Sequence, residues 1–422
     1  MPAKLKFKWR RHLDLVMKIK QLPEDFIVEE VSSRSIKAEG PFQIFLLEKK
    51  GLDTFGAKRI IGKEFKISNV EMGIAGLKDR HAVTRQYISF PSRFRIPSSW
   101  SQKSISLEKK GFSDVPIQLG EFQANRFLIV VRDIKEDEAP VIMGKSNKIL
   151  QQGVPNYFDN QRFGSLRGSS AFIAKKLITG DIESALRIVL TSTSRHDPAV
   201  IRRCRKSISL RWKDWDSCLD ACKEAKQARR ETRIISHLKD HPADFKGAFL
   251  LIERELQKMY IAAYQSFLWN ESAKVLLARA APALALREIE YHAGSLAFPK
   301  DISQTKVGLL SQTSQTTIPL LNPGLEFRDE QVKYACLNVL KEEGIALGDL
   351  VVPGFGELCF KDGVRPMWVF PKSVLNPSLS KDELNSTPSK ERKKLTLCFE
   401  LPPGSYATIV LKAMGIVKKS RK

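Results

Sequence analysis

Nowhere in this sequence does an apolar run approach the ~18 residues that a membrane-spanning helix needs. Cysteine is scarce. The six residues at 204, 218, 222, 336, 359 and 398 are too few and too scattered for a disulfide framework. The N-terminus, Met1-Pro2-Ala3-Lys4-Leu5-Lys6-Phe7-Lys8-Trp9-Arg10-Arg11, has no apolar stretch of signal-peptide length. These absences lead to the expectation of a reduced, cytoplasmic protein with no membrane partner. Acid is also in short supply: 47 Asp and Glu face 70 Lys and Arg, a formal net charge of +23. Such a balance on an enzyme-sized chain points to a polyanionic partner, most often nucleic acid.

Several catalytic signatures are missing too. Gly51-Leu52-Asp53-Thr54-Phe55-Gly56-Ala57-Lys58 resembles a phosphate loop, but Ala57 separates the second glycine from the lysine and no Ser or Thr follows it. A nucleotide triphosphatase is thereby excluded. Cys218-x3-Cys222 followed by His237-x3-His241 has loose zinc spacing. The stretch from Cys218 to Arg233 has no Gly or Pro for a knuckle and reads as one helix, so core cysteines are the simpler account. No Ser–His–Asp or Cys–His arrangement can be assembled.

At 422 residues and 42% hydrophobic positions, the chain has enough apolar material for two or three domains. Phe26–Val31 and Phe42–Glu48 alternate as strands, Thr54–Phe65 reads as a helix capped by Thr54, and Phe127–Val131 is a strand covered on both faces. Helical spacing dominates from about residue 169, with Gly180 as a stop and a long amphipathic stretch over 245–277. Residues 294–370 return to short strands, and 376–394 read as an exposed Ser-, Pro- and Lys-rich linker. Arg202, Arg203, Arg205 and Lys206 form a basic cluster near Trp212 and Trp215. Cations on phosphate with rings on unpaired bases is an RNA-binding pattern, so these four are candidate backbone contacts.

The segment Gly73-Ile74-Ala75-Gly76-Leu77-Lys78-Asp79-Arg80-His81-Ala82-Val83-Thr84 delivers two glycines and then an acid between two cations. Glycine allows close backbone approach, and flanking cations favour an ionised carboxylate available as a nucleophile. From the loop alone a structural ion pair at a strand end is the simpler reading.

The same loop resembles the central motif of the TruD family of tRNA pseudouridine synthases. Five further stretches resemble that family in order: Lys20-x2-Pro23-Glu24-Asp25-Phe26-Ile27-Val28-Glu29-Glu30, Asn125-Arg126-Phe127, Gly153-Val154-Pro155-Asn156-Tyr157-Phe158-x2-Gln161-Arg162-Phe163-Gly164, Ala263–Asn270, and Pro403-Gly404-Ser405-Tyr406-Ala407-Thr408. The resemblance implies an α/β (α+β) fold: a pseudouridine-synthase-type mixed β-sheet catalytic domain carrying an inserted α/β TRUD domain. It places the catalytic domain at 1–152 and 385–422 and the insertion at 153–384. It implies isomerisation of a uridine in tRNA, uridine-13 by analogy, without cofactor or metal and with no protein partner, on a monomer.

Asp79 would be the catalytic acid, attacking ribose C1′ or base C6 of a flipped-out nucleotide. Lys20, Phe26, Lys78, Arg80, Asn125, Phe127 and Tyr406 would surround the substrate. The rival expectation is a non-catalytic RNA-binding or RNA-chaperone protein that shares the fold.

Overall fold

A computed structural model describes residues 15–78, 82–166, 171–194, 197–280, 286–300 and 315–418. The chain divides into two compact units, one formed by Met1–Val154 with Val369–Lys422 and the other by Pro155–Trp368.

The first unit is built on an eleven-stranded mixed sheet. Its strands are β1 (Leu15–Ile19), β2 (Phe26–Val31), β3 (Phe42–Lys50), β4 (Gly73–Ile74), β5 (Val83–Pro91), β6 (Ser99–Gln102), β7 (Ile105–Ser113), β8 (Ala124–Ile134), β9 (Lys372–Lys381), β10 (Lys393–Leu401) and β11 (Ile416–Lys418). The main path runs β9-β10-β8-β2-β5-β3-β7-β6, with β4 on β5 and β1 joining β8 to β11. Only β2–β5 and β1–β11 pair in parallel. The two chain ends therefore share one sheet. β8 lies between β10 and β2, with Ile129 and Val131 fully buried.

Residues 372–381 are an edge strand paired with β10, with register shifts that twist it. The expected linker at 376–394 is therefore sheet in its first part, and the second boundary falls at 368/369 rather than 384/385. The exposed Ser- and Pro-rich composition is that of an edge strand solvated along nearly its whole length.

Helix α1 (Thr54–Phe65) packs on the sheet through Ala57 and Ile61. Its cap is Asp53, which accepts from Gly56 N at 2.7 Å, and not Thr54, whose side chain is buried. Gly73 lies so close to Ile117 that an added Cβ would meet its carbonyl oxygen at 2.5 Å. Tight contact, not unusual dihedrals, is what requires glycine there.

The second unit is largely helical in its first half. Helix α2 (Ala139–Gln152) precedes it, and then come α3 (Ile173–Ile178), α4 (Ile182–Thr191), α5 (Ala199–Leu210), α6 (Trp215–Glu224), α7 (Arg229–Asp240), α8 (Phe245–Leu250) and α9 (Arg254–Ala280). The single helix expected over 218–233 is broken at residues 225–228, where buried Ala225 and Ala228 close a turn by a 2.6 Å backbone hydrogen bond. Cys218 and Cys222 are buried core residues of α6. A further helix, α10 (Glu330–Glu343), interrupts the short strands expected over 294–370. It begins at Asp329, which accepts from two backbone N–H groups, and ends at Gly344 in the left-handed region.

Candidate active site

Alternation along a strand decides which side chains meet. Across the β2–β8 pair, Glu30 stands opposite Asn125, Val28 opposite Phe127 and Phe26 opposite Ile129. β5 runs parallel on the other side, with Thr84 beside Val28. One sheet face therefore carries Phe26, Glu30, Thr84, Gln86, Asn125 and Phe127. Glu30, Thr84 and Gln86 are buried, and buried polar groups need partners.

Lys78 supplies the main one. Its ammonium lies 3.0 Å from a Glu30 carboxylate oxygen and donates to Asn125 Oδ1 at 2.8 Å. It also sits 4.2 Å from the centre of the Phe122 ring. The Glu30 contact is a charge contact rather than an aligned hydrogen bond; the aligned bond goes to Asn125. Burial pushes the Glu30 carboxyl above its ordinary range, and the Lys78 charge opposes this only in part.

The backbone of Lys78 is fixed as firmly as its side chain. Its N–H donates to Thr54 Oγ1 at 3.0 Å, and its carbonyl accepts from Lys49 Nζ at 3.4 Å. Gln86 Nε2 donates to the Gly76 carbonyl at 3.0 Å. The end of the glycine loop is thus tied to α1, β3 and β5 at once. Asp79, Arg80 and His81 lie outside the described residues.

The aromatic candidates are deeper than expected for residues offered to a substrate. Phe26 and Phe127 are 4% and 7% exposed and meet edge to face at 6.1 Å, with Phe399 beside Phe127 at 5.9 Å. The Lys20 ammonium lies 3.9 Å from the Phe26 ring centre. Tyr406 is half-buried at the N-cap of the helix Ala407–Ala413.

Five sequence candidates thus fall into two contacting groups: Lys20 with Phe26 and Phe127, and Lys78 with Asn125. Glu30 is the residue that reasoning from type and spacing did not single out. Its signal was present, because it shares the buried phase of β2 with Phe26 and Val28.

The basic cluster fares differently. Arg205 is 3% exposed, donating to Glu231 at 2.8 Å and to Asp197 at 3.1 Å, so it is not available to an RNA backbone. Its place on the buried face of α5 follows from the phase shared with Ile201, Cys204 and Ile208. Arg202, Arg203 and Lys206 are exposed, and Arg202 also donates to the Asp197 carbonyl. Trp212 and Trp215 pack on each other at 5.2 Å, and Trp212 donates to Glu183, so they are bundle residues rather than stacking platforms.

The zinc-spaced side chains also have protein partners. Cys222 Sγ lies 3.6 Å from Cys204 Sγ, Cys218 Sγ lies 3.3 Å from the Arg211 carbonyl oxygen, and His237 bonds Asp244. Among the described residues no three His, Cys, Asp or Glu gather in a way that could hold a metal ion.

The family model for tRNA pseudouridine synthase D (TruD) matches residues 11–414. The chain belongs to the TruD family. A Methanocaldococcus jannaschii relative named probable tRNA pseudouridine synthase D 2 is 36% identical over 411 residues, covering 96% of this chain and 94% of the relative. The tRNA pseudouridine synthase D of Aquifex aeolicus is 32% identical, with 94% and 98% covered. The crystal structure of a TruD from Methanosarcina mazei superposes with a TM-score of 0.71 at 27% identity, covering 96% of this chain and 94% of that one. The TruD assignment makes the chain an isomerase of the tRNA pseudouridine synthase class, and its mixed sheet is the pseudouridine synthase fold. The non-catalytic binder is set aside.

Proposed function

We propose that this chain converts a uridine of tRNA, uridine-13 by family analogy, into pseudouridine with Asp79 as the nucleophile. Uracil would leave ribose C1′ through its N1 and rejoin through a ring carbon, so atoms and electrons balance without a co-reactant. The carboxylate would add either to C1′ or to C6 of the base. The target nucleotide has to leave its stack to be reached.

The observation that carries this reading is the clamp on Lys78, the residue before Asp79. Four groups from four elements hold it: Thr54, Lys49, Glu30 and Asn125. The chain is thus held firmly up to the residue before Asp79, and attack on one ring atom demands fixed positioning. Lys78 itself serves as a positioning residue, since its ammonium is committed inside the fold.

Asn125 gives its oxygen to Lys78, which leaves its amide N–H donors as the group to meet a uracil carbonyl. Lys20, above Phe26, and Tyr406 complete the surroundings, with Arg80 next to the nucleophile. Arg202, Arg203 and Lys206 remain candidate phosphate contacts. The setting that fits this chemistry is the cytoplasm.

Unmodified tRNA transcripts incubated with the protein and mapped by carbodiimide chemistry should show one new pseudouridine. Asp79→Asn should keep RNA affinity and form none. Product from Asp79→Asn would overturn the assignment.

A further inference from the structure

Helices α6 and α7 enclose a groove of about 640 Å³ whose lining includes Lys223, Lys226, Arg229, Arg233 and His237. These side chains come from both walls. Arg229, Arg233 and His237 recur every four residues and so stand in one row along α7, about 12 Å from first to last. Lys223 and Lys226 face them from the end of α6 and the turn after it.

The ion pairs of these side chains divide the groove in two. Arg233 reaches Glu253 at 3.4 Å and the carbonyl of Leu251, and His237 is bonded to Asp244 at 2.8 Å. Asp240 closes that end with negative charge. At the opposite end Lys223 is only 4.0 Å from Asp220, a loose contact between two exposed side chains. Lys226 and Arg229 are exposed and make no ion pair among the described residues. Two exposed cations without carboxylate partners, lining one groove, favour an anion there.

We propose that the Lys226–Arg229 end of this groove grips the phosphodiester backbone of the RNA substrate. The inference rests on the reading of the chain as a tRNA-modifying enzyme and deepens it by assigning a docking surface. RNA suits the site because a phosphate strand offers repeated single charges to a row of cations, with guanidinium and ammonium groups reading charge rather than sequence. Charge complementarity selects the occupant, since the lining sets Lys223, Lys226, Arg229 and Arg233 against the single carboxylate of Asp240.

The test is the variant Lys226→Gln/Arg229→Gln, compared with the charge-keeping Lys226→Arg/Arg229→Lys. Pseudouridine formation and tRNA affinity are followed over a salt series. Each lost phosphate contact should lower the slope of log K against log salt by about one. The neutral variant should show a slope smaller by about two, a roughly tenfold higher KM for tRNA, and kcat within about twofold. The charge-keeping variant should restore slope and KM.

Because the substitutions are exposed, melting curves should coincide with the parent. An unchanged slope and KM in the neutral variant would overturn the assignment of this surface. Absence of pseudouridine from the parent protein would instead overturn the function on which it rests.

Discussion

Lys78 Nζ sits 3.0 Å from Glu30, with the two side chains 4% and 1% exposed. Removing one partner leaves the other as a buried charge without compensation, a cost of about 3–5 kcal/mol. Glu30→Ala and Lys78→Ala should each lower the unfolding free energy measured in urea by that order. Glu30→Leu combined with Lys78→Met should cost much less than the sum of the singles. Strict additivity in a double-mutant cycle would show that the two charges do not interact.

Arg132 predicts the acid limb of stability. It is buried in the sheet and reaches Asp25 at 2.9 Å, Asp382 at 3.0 Å and Glu383 at 3.0 Å, so it binds the turn between β1 and β2 to the turn after β9. Burial alone would raise the Asp382 carboxyl. The Asp133 N–H, Asn385 and Arg132 outweigh it and hold the group below its ordinary range, and Lys394 and Arg132 hold Glu383 down to about 2. A carboxyl depressed in the folded state contributes stability above its unfolded pKa and loses it as pH falls through the folded one. The urea midpoint should therefore drop from about pH 4.5 toward pH 2. Arg132→Gln should be less stable at pH 7 and should flatten that limb. A parallel pH profile for the variant would count against the network.

How much of this was legible beforehand depends on whether periodicity or partners decide the matter. Alternation identified β2 and β3, a continuous apolar run identified β8, and the order of motifs located the loop before Asp79. Neither could show that Lys78 turns inward, because that depends on Glu30 and Asn125 arriving from two other strands. Arg205 is the same case: a run of cations reads as a surface until the phase of α5 is set against Glu231 on α7. Residues 376–381 were misread because an exposed edge strand has the composition of a loop, and only its pairing with β10 distinguishes them.

Asn125 allows binding and structure to be separated. Asn125→Asp keeps an oxygen for Lys78 but loses the N–H donors proposed to meet uracil. Its melting temperature should stay close to the parent while kcat/KM falls about tenfold or more, the scale of one hydrogen bond lost in a site that depends on it. Asn125→Ala should lose both activity and stability, since Lys78 is then left with Glu30 alone. An active Asn125→Asp would mean that the amide orients Lys78 and nothing else.

The opposite face of the same sheet carries a row of alternating charge. Across neighbouring strands Glu48 pairs with Arg85 at 2.7 Å, Arg126 reaches Glu29 at 3.4 Å and Glu400 at 2.8 Å, and Lys372 reaches Glu400 at 3.7 Å. The strand register places Arg85 opposite Glu29, which joins the two halves of the row. These side chains are mostly about two-fifths exposed, so each pair is worth only about 0.2–1 kcal/mol. The arrangement matters more for what it forbids, because a strand slipped by one residue would bring these charges into the buried face. Arg126→Glu sets three carboxylates in a row at the centre and should cost about 1–2 kcal/mol by the loss of two pairs and the new repulsion. Arg126→Gln should cost about half as much. Since salt of about 1 M shortens the screening length to ~3 Å, the gap between the two variants in urea melts should shrink markedly there. A gap that stays constant with salt would assign the effect to the packing of the Arg126 stem rather than to its charge.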